Sequence, residues 1–139
     1  MRANRIKVVG AVLAPVFAVV GVLFLLIPGR VVALFNRVSA PWGLPPAPDG
    51  ETGLFVLLAA AYMAVVTALA VIMARRPQDL LAPRLLALAK LASSLFSLGF
   101  ILLRANYFIV LVNGVVDAII GNIVLWLVLP PKKREDVPS

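Results

Sequence analysis

The sequence predicts an all-α integral membrane protein, an antiparallel bundle of four transmembrane helices with a short interfacial helix in the first loop. Three observations predict it. Hydrophobic residues make up 63% of the chain and its mean hydropathy is +1.06, whereas soluble domains are roughly 45–50% apolar. The excess is gathered into four runs, each near the roughly 20 residues needed to cross a bilayer as a helix. Proline, glycine and arginine or lysine punctuate the ends of those runs, as expected of span boundaries.

The first run, residues 8–27, follows Arg2, Arg5 and Lys7 and stops at Pro28 and Gly29. It exceeds the roughly 7–15 residues of a cleavable signal core, so a retained span is expected. Next comes "RVVALFNRV", residues 30–38, which sets Val31, Val32, Leu34, Phe35 and Val38 against Arg30, Asn36 and Arg37. At helical spacing this is an amphipathic segment suited to the membrane interface. The prolines of "SAPWGLPPAPDGE" then bar a helix, and Trp42 is expected as an interfacial anchor. This loop has two readings, a connector tucked against the bundle or a lid over an outward-facing cavity.

The second run, residues 53–74, ends at Arg75, Arg76 and Pro77. The third, residues 83–103, opens on Pro83, and the fourth, residues 107–129, stops at Pro130 and Pro131. Residues 1–129 therefore read as one transmembrane domain, and 130–139 as a basic cytoplasmic tail without fixed structure. Four spans put both chain ends and the loop around Arg75 on one side. That side holds Arg2, Arg5, Lys7, Arg75, Arg76, Arg84, Lys132, Lys133 and Arg134, nine basic residues against Arg30, Arg37 and Arg104 on the other. The excess of basic residues makes the first side cytoplasmic, with a bacterial cytoplasmic membrane as the expected location. The net charge of +7 is accounted for by these flanks, where it meets anionic headgroups, and nucleic acid is not an expected partner.

Lipid gives helices no hydrophobic reason to associate, so close packing at small residues must hold the bundle. Candidates are Gly10, Ala14, Ala18 and Gly21 in the first span, which Pro15 is expected to kink, Ala60, Ala64 and Ala68 in the second, and Gly114 and Gly121 in the fourth. The chain has no cysteine and no histidine. That removes disulfides, thiol redox chemistry, thiolate metal sites, haem ligation by His or Cys, and the commonest general base. No cofactor and no metal is expected.

Polar residues inside the spans are the candidate functional features. Lys90, Ser93, Ser94 and Ser97 form a stripe on the third span that Arg104 extends. On the fourth, Asn106, Asn113 and Asp117 form another, while Asn122 lies well round the helix. In an apolar bundle such stripes turn inward. Helical side chains lean towards their own N-terminus, so on antiparallel helices Lys90 and Asp117 lean apart. A shared network through Ser94, Ser97, Asn113 or water is therefore expected rather than a direct salt bridge, with Arg104 competing for the carboxylate. The network could be polar glue, a binding site for an amphiphile, a path for protons or ions, or a catalytic centre. No nucleophile is paired with a base, so no catalytic residue is assigned and a non-enzymatic protein is expected.

Three stretches, "GVLFLLIPGRVVALFN", "ETGLFVLLAAAYM" and "GVVDAIIGNIVLWLVL", resemble the DoxX-like group of small bacterial four-helix membrane proteins. The resemblance implies a four-helix membrane fold and, in some members, association with redox or quinone-linked systems. It carries no catalytic motif to any position here, and the proline-rich first loop departs from the usual pattern. A relative of vitamin K epoxide reductase would need a CxxC, and a small multidrug transporter an acid in its first span; the chain has neither. The expected function is a non-enzymatic subunit or accessory component of a membrane assembly, in contact with lipid and with other subunits or a second copy of itself, and with the Lys90–Asp117 region packed solid. The alternative is a binding protein or carrier for a lipid, quinone or other small amphiphile between the third and fourth spans.

Overall fold

A computed structural model describes residues 1–48, 53–104 and 106–129, and of residues 53–55 the backbone only. The described residues are helical without strands: α1 (Arg2–Leu26), α2 (Pro28–Ser39), a 3-10 turn (Ala40–Trp42), α3 (Gly53–Arg75), α4 (Leu81–Leu103) and α5 (Phe108–Val128). α1, α3, α4 and α5 are each long and apolar enough to cross a membrane. The expected tail at 130–139 lies outside the described residues.

Each boundary has a local cause. α1 begins six residues before the apolar run because its basic start is tied to the end of α5. The Arg2 guanidinium donates to the carbonyls of Leu127, at 2.8 Å, and of Val128. These carbonyls have no partner within their own helix, and a cation there also complements the helix dipole. Arg5 adds a cation–π contact, 5.9 Å from the centre of the Trp126 ring. Pro15 sits on the outward face of α1, and the helix continues through it. Pro28 starts α2 rather than merely ending α1, since its fixed φ and missing N–H suit a first turn. At the start of α4, Asp79 Oδ1 accepts the Leu81 amide at 2.9 Å, and Pro83 falls in the first turn, where an N–H has no partner to lose.

The helices pack as two antiparallel pairs, α1 along α3 and α4 along α5. α3 and α4 make a smaller seam between the pairs, and α1 meets α5 only sparsely. Glycine sets the closeness within each pair. A Cβ at Gly10 would lie 2.7 Å from both the Ala70 carbonyl oxygen and the Ala74 amide nitrogen. At Gly21 it would lie 2.9 Å from Met63 Cβ, and at Gly121 2.8 Å from Leu91 Cγ. Gly114 packs on Ser97 and Leu98. The alanine stripe expected to pack in α3 does not do so as a whole, because Ala64 and Ala68 face outward. The face chosen instead carries Met63, Val66, Ala70 and Met73, whose bulk fills the grooves beside Gly10 and Gly21. Ala18 of α1 likewise faces outward. Alanine loses little against lipid, which is as apolar as a helix groove.

The start of α1 and the end of α5 share one face of the bundle, called here the terminal face; α2 covers the opposite one. α2 is anchored there by aromatic contacts. The Phe35 and Phe108 ring centres are 6.1 Å apart, and Trp42 meets Phe108 edge-on at 5.0 Å. The loop beyond is clamped by Asn36, whose side chain accepts the Ala47 amide at 2.8 Å and donates to the Ala47 carbonyl at 2.9 Å. Trp42 itself remains 62% exposed.

Gly10→Ala is expected to destabilise the fold by about 1–3 kcal/mol, since the atoms in the way are backbone and the α1–α3 pair must separate. Gly99→Ala, with nothing within 4 Å of the added carbon, is expected to be near neutral. Thermal denaturation of the two variants in the same detergent checks the contrast.

Candidate functional site

Polar side chains within the spans separate a filled half of the bundle from a hollow one. Towards the terminal face, Ile6, Val66, Met73, Leu86 and Val124 are fully buried against one another. Towards α2 the helices border a cavity of about 560 Å³ that is open to the bundle surface beside the exposed Val16 and Val116, within the roughly 300–1,000 Å³ of small-molecule sites. Its walls are Phe17, Val20 and Phe24 of α1, Ala59, Tyr62 and Met63 of α3, Ser93 and Ser97 of α4, and the face of α5 from Ile109 to Ile120, with Phe35 of α2 on the side nearest that helix. Lys90 and Asp117 also line it.

This corrects the expectation of a solid Lys90–Asp117 region. On the α4 side the wall holds Ser93 and Ser97 beside Lys90, and on α1 and α5 it includes the short valines Val16, Val20, Val112 and Val116 among larger residues. The sparse α1–α5 contact leaves a gap there that the lining side chains do not fill.

The shared network is corrected as well: Lys90 Nζ bonds Asp117 Oδ1 directly, at 2.8 Å, with the two side chains only 3% and 4% exposed. Gly121 against Leu91 and Gly114 against Ser97 fix the register of α4 on α5. Asp117 therefore lies about one helical turn, roughly 6 Å, nearer α2 than Lys90. A lysine stem covers that distance. The N-terminal lean fixes only the Cα–Cβ direction, and redirecting the flexible stem beyond it costs on the order of 1 kcal/mol. An unpaired charge at mid-membrane costs roughly 3 kcal/mol on the gentlest scale. Pairing wins.

Lys90 reaches every spanning helix. From α4 it pairs with Asp117 on α5, and its ammonium sits 4.5 Å from the centre of the Phe17 ring on α1 and 5.1 Å from that of Tyr62 on α3. A desolvated cation over an aromatic face gains about 2 kcal/mol. Tyr62 also donates its hydroxyl to the Ala89 carbonyl at 3.1 Å, joining α3 to α4. The sequence reading missed Phe17 and Tyr62. One signal was present: Tyr62 is one of two tyrosines in the chain, and it lies inside a span while Tyr107 lies at an end.

Among the other expected site residues, Asn113 donates its amide to Ser93 at 3.3 Å and to Ser97 at 2.9 Å, a second α4–α5 link on the cavity wall. Ser94 is buried but is not a lining residue. Arg104, expected to compete for Asp117, is exposed at the end of α4, where its backbone caps the helix through Phe100. It stands near the α2 end of the bundle, ten residues along α4 from Ser94, and does not join the network. Asn106 precedes α5 and is exposed, and Asn122 donates to the Ala118 carbonyl of its own helix at 2.8 Å.

One acceptor is left over. Among the described residues no donor reaches Asp117 Oδ2, which is buried. Most buried polar atoms have a partner, so this one marks the site. Among the described residues no three His, Cys, Asp or Glu side chains group as metal ligands would. Compared with protein families, curated proteins and solved structures, the chain matches none.

Lys90→Met and Asp117→Leu are each expected to cost about 3–5 kcal/mol, because each strands the other charge in an apolar interior. The double variant is expected to recover most of that loss. Unfolding titrations of the two single variants and the double, run as a cycle, measure the coupling.

Proposed function

We propose that this is a binding protein or carrier for a small amphiphile, held in the intramembrane cavity with its polar end at the Lys90–Asp117 pair. The observation that carries the reading is the cavity itself, largely apolar in its walls but lined also by Lys90, Asp117, Ser93, Ser97 and Asn113. Apolar walls with a few convergent polar groups are the usual composition of a small-molecule site. A helix bundle needing only polar glue has no use for the space beside it. Phe35 on the cavity wall gives α2 the position of a cover, in keeping with the lid reading of the first loop.

The reading as a subunit of a larger membrane assembly has one observation in its favour, an open groove on the outward side of the α3–α4 seam. Ala89, Ala92, Phe96 and Phe100 of α4 line it together with Tyr62, and small residues such as Ala89 and Ala92 admit a neighbouring helix. The two readings are compatible, since the groove and the cavity share Tyr62, Ser93 and Ser97. Membership of the DoxX-like group rests on the three stretches quoted above.

The proposed location is a bacterial cytoplasmic membrane with both termini inside, on the strength of the basic flanks. Because the chain has no cysteine, single cysteines at Gln78 and Arg37, both exposed, report sidedness cleanly. The Arg37→Cys variant should react with an impermeant maleimide in intact cells, and Gln78→Cys only after lysis; the reverse pattern would invert the topology.

Ala59→Phe adds a ring to the cavity wall and leaves the polar side chains that line it unchanged. Native mass spectrometry of protein purified from its membrane is expected to find a bound amphiphile on the wild type and much less on the variant, at similar thermal stability. Equal occupancy of both would overturn the cavity as the binding site.

A further inference from the structure

Resting on the binding reading above, we infer that the ligand is electrically neutral and carries a hydroxyl group as its polar end, a lipid alcohol rather than a fatty acid or a cationic amphiphile. Charge comes first. Lys90 and Asp117 neutralise each other at 2.8 Å, and the lysine's remaining surroundings are the Phe17 and Tyr62 rings. Among the described residues no further charged side chain lines the cavity. A carboxylate or an ammonium brought to the buried pair would therefore leave one uncompensated charge in largely apolar surroundings, which is unfavourable.

Hydrogen bonding narrows the class further. Asp117 lines the cavity, and its Oδ2 is buried with no donor among the described residues. An ionised carboxylate only accepts, so the missing partner must donate. Ser93 and Ser97 both accept from the Asn113 amide, which leaves their own hydroxyl protons to donate. A ligand hydroxyl can meet both needs, accepting from a serine and, once a small side-chain shift opens Oδ2 to the cavity, giving its proton to Asp117. An ether or ester oxygen meets only the second. The apolar remainder of the molecule then lies against Val20, Phe24, Phe35 and Ile109, the part of the cavity nearest α2.

The test is a matched set of ten-carbon probes, n-decanol, methyl decyl ether, decanoate and decyltrimethylammonium, titrated against the detergent-solubilised full chain and read by native mass spectrometry. Decanol is expected to bind about tenfold more tightly than the ether, the increment of a hydrogen bond to a charged group, and both ions to bind more weakly than decanol. In the Lys90→Met and Asp117→Leu double variant, which removes the carboxylate without stranding a charge, decanol and the ether are expected to bind alike. Ether or either ion binding as well as decanol to the wild type would overturn the hydroxyl class and leave the cavity reading standing. Failure of all four probes to bind would overturn both. A decanol preference that persists in the double variant would overturn the role of Asp117.

Discussion

The Lys90–Asp117 ion pair is the constraint around which the rest of the bundle is arranged. A charge on a helix at this depth must find a partner or cost several kcal/mol, and the partner lies on the next helix. That one requirement fixes which faces of α4 and α5 meet. Gly114 and Gly121 then let the two backbones come close enough for Nζ and Oδ1 to stand 2.8 Å apart. The ammonium also draws in one aromatic ring from each helix of the other pair, Phe17 and Tyr62. A single side chain thus ties together two helix pairs that otherwise share only a modest seam.

This arrangement explains why the bundle is solid on one side of the pair and hollow on the other. Towards the terminal face the helices are drawn together at both ends of a short stretch, by Lys90 at its inner end and by Arg2 and Arg5 on the end of α5 at its outer end. The side chains between, Ile6, Met73, Leu86 and Val124, are large enough to fill it. Towards α2 no comparable tie joins α1 to α5 among the described residues. There serines and valines alternate with larger residues such as Phe17, Phe24 and Met63 along the walls, and the aromatic contacts of Phe35, Trp42 and Phe108 close the end without filling the middle.

Under the proposed function, specificity depends on what the ion pair leaves undone. A lysine and an aspartate in contact satisfy each other's charge but not all of their hydrogen-bonding capacity. The residue of that capacity, Asp117 Oδ2, is neutral in its charge balance and directional in its demand. Buried ion pairs add little to stability compared with a well-packed apolar core, and under the proposed function the pair's place beside the cavity is read through the binding chemistry it offers.

The four spans, the amphipathic α2 and the polar stripes on α4 and α5 were determined by sequence alone, because each depends on local hydropathy, helical period or a proline. Lys90, Ser93, Ser97, Asn113 and Asp117 were legible as a group for the same reason: a polar residue in an apolar run stands out wherever the chain folds. The tertiary structure decided the rest. That Lys90 touches Asp117 directly depends on a register set by Gly114 and Gly121 against Ser97 and Leu91, and no periodicity within one helix encodes the offset between two. Arg104 shared the stripe by spacing yet stands too near the end of α4 to join the pair. Phe17 and Tyr62 look like ordinary span residues until the pairing of helices brings their rings to the same ammonium. Whether the polar residues fill a space or border one turned on how far α1 stands from α5, a distance set by the sum of side-chain volumes across four helices rather than by any one segment.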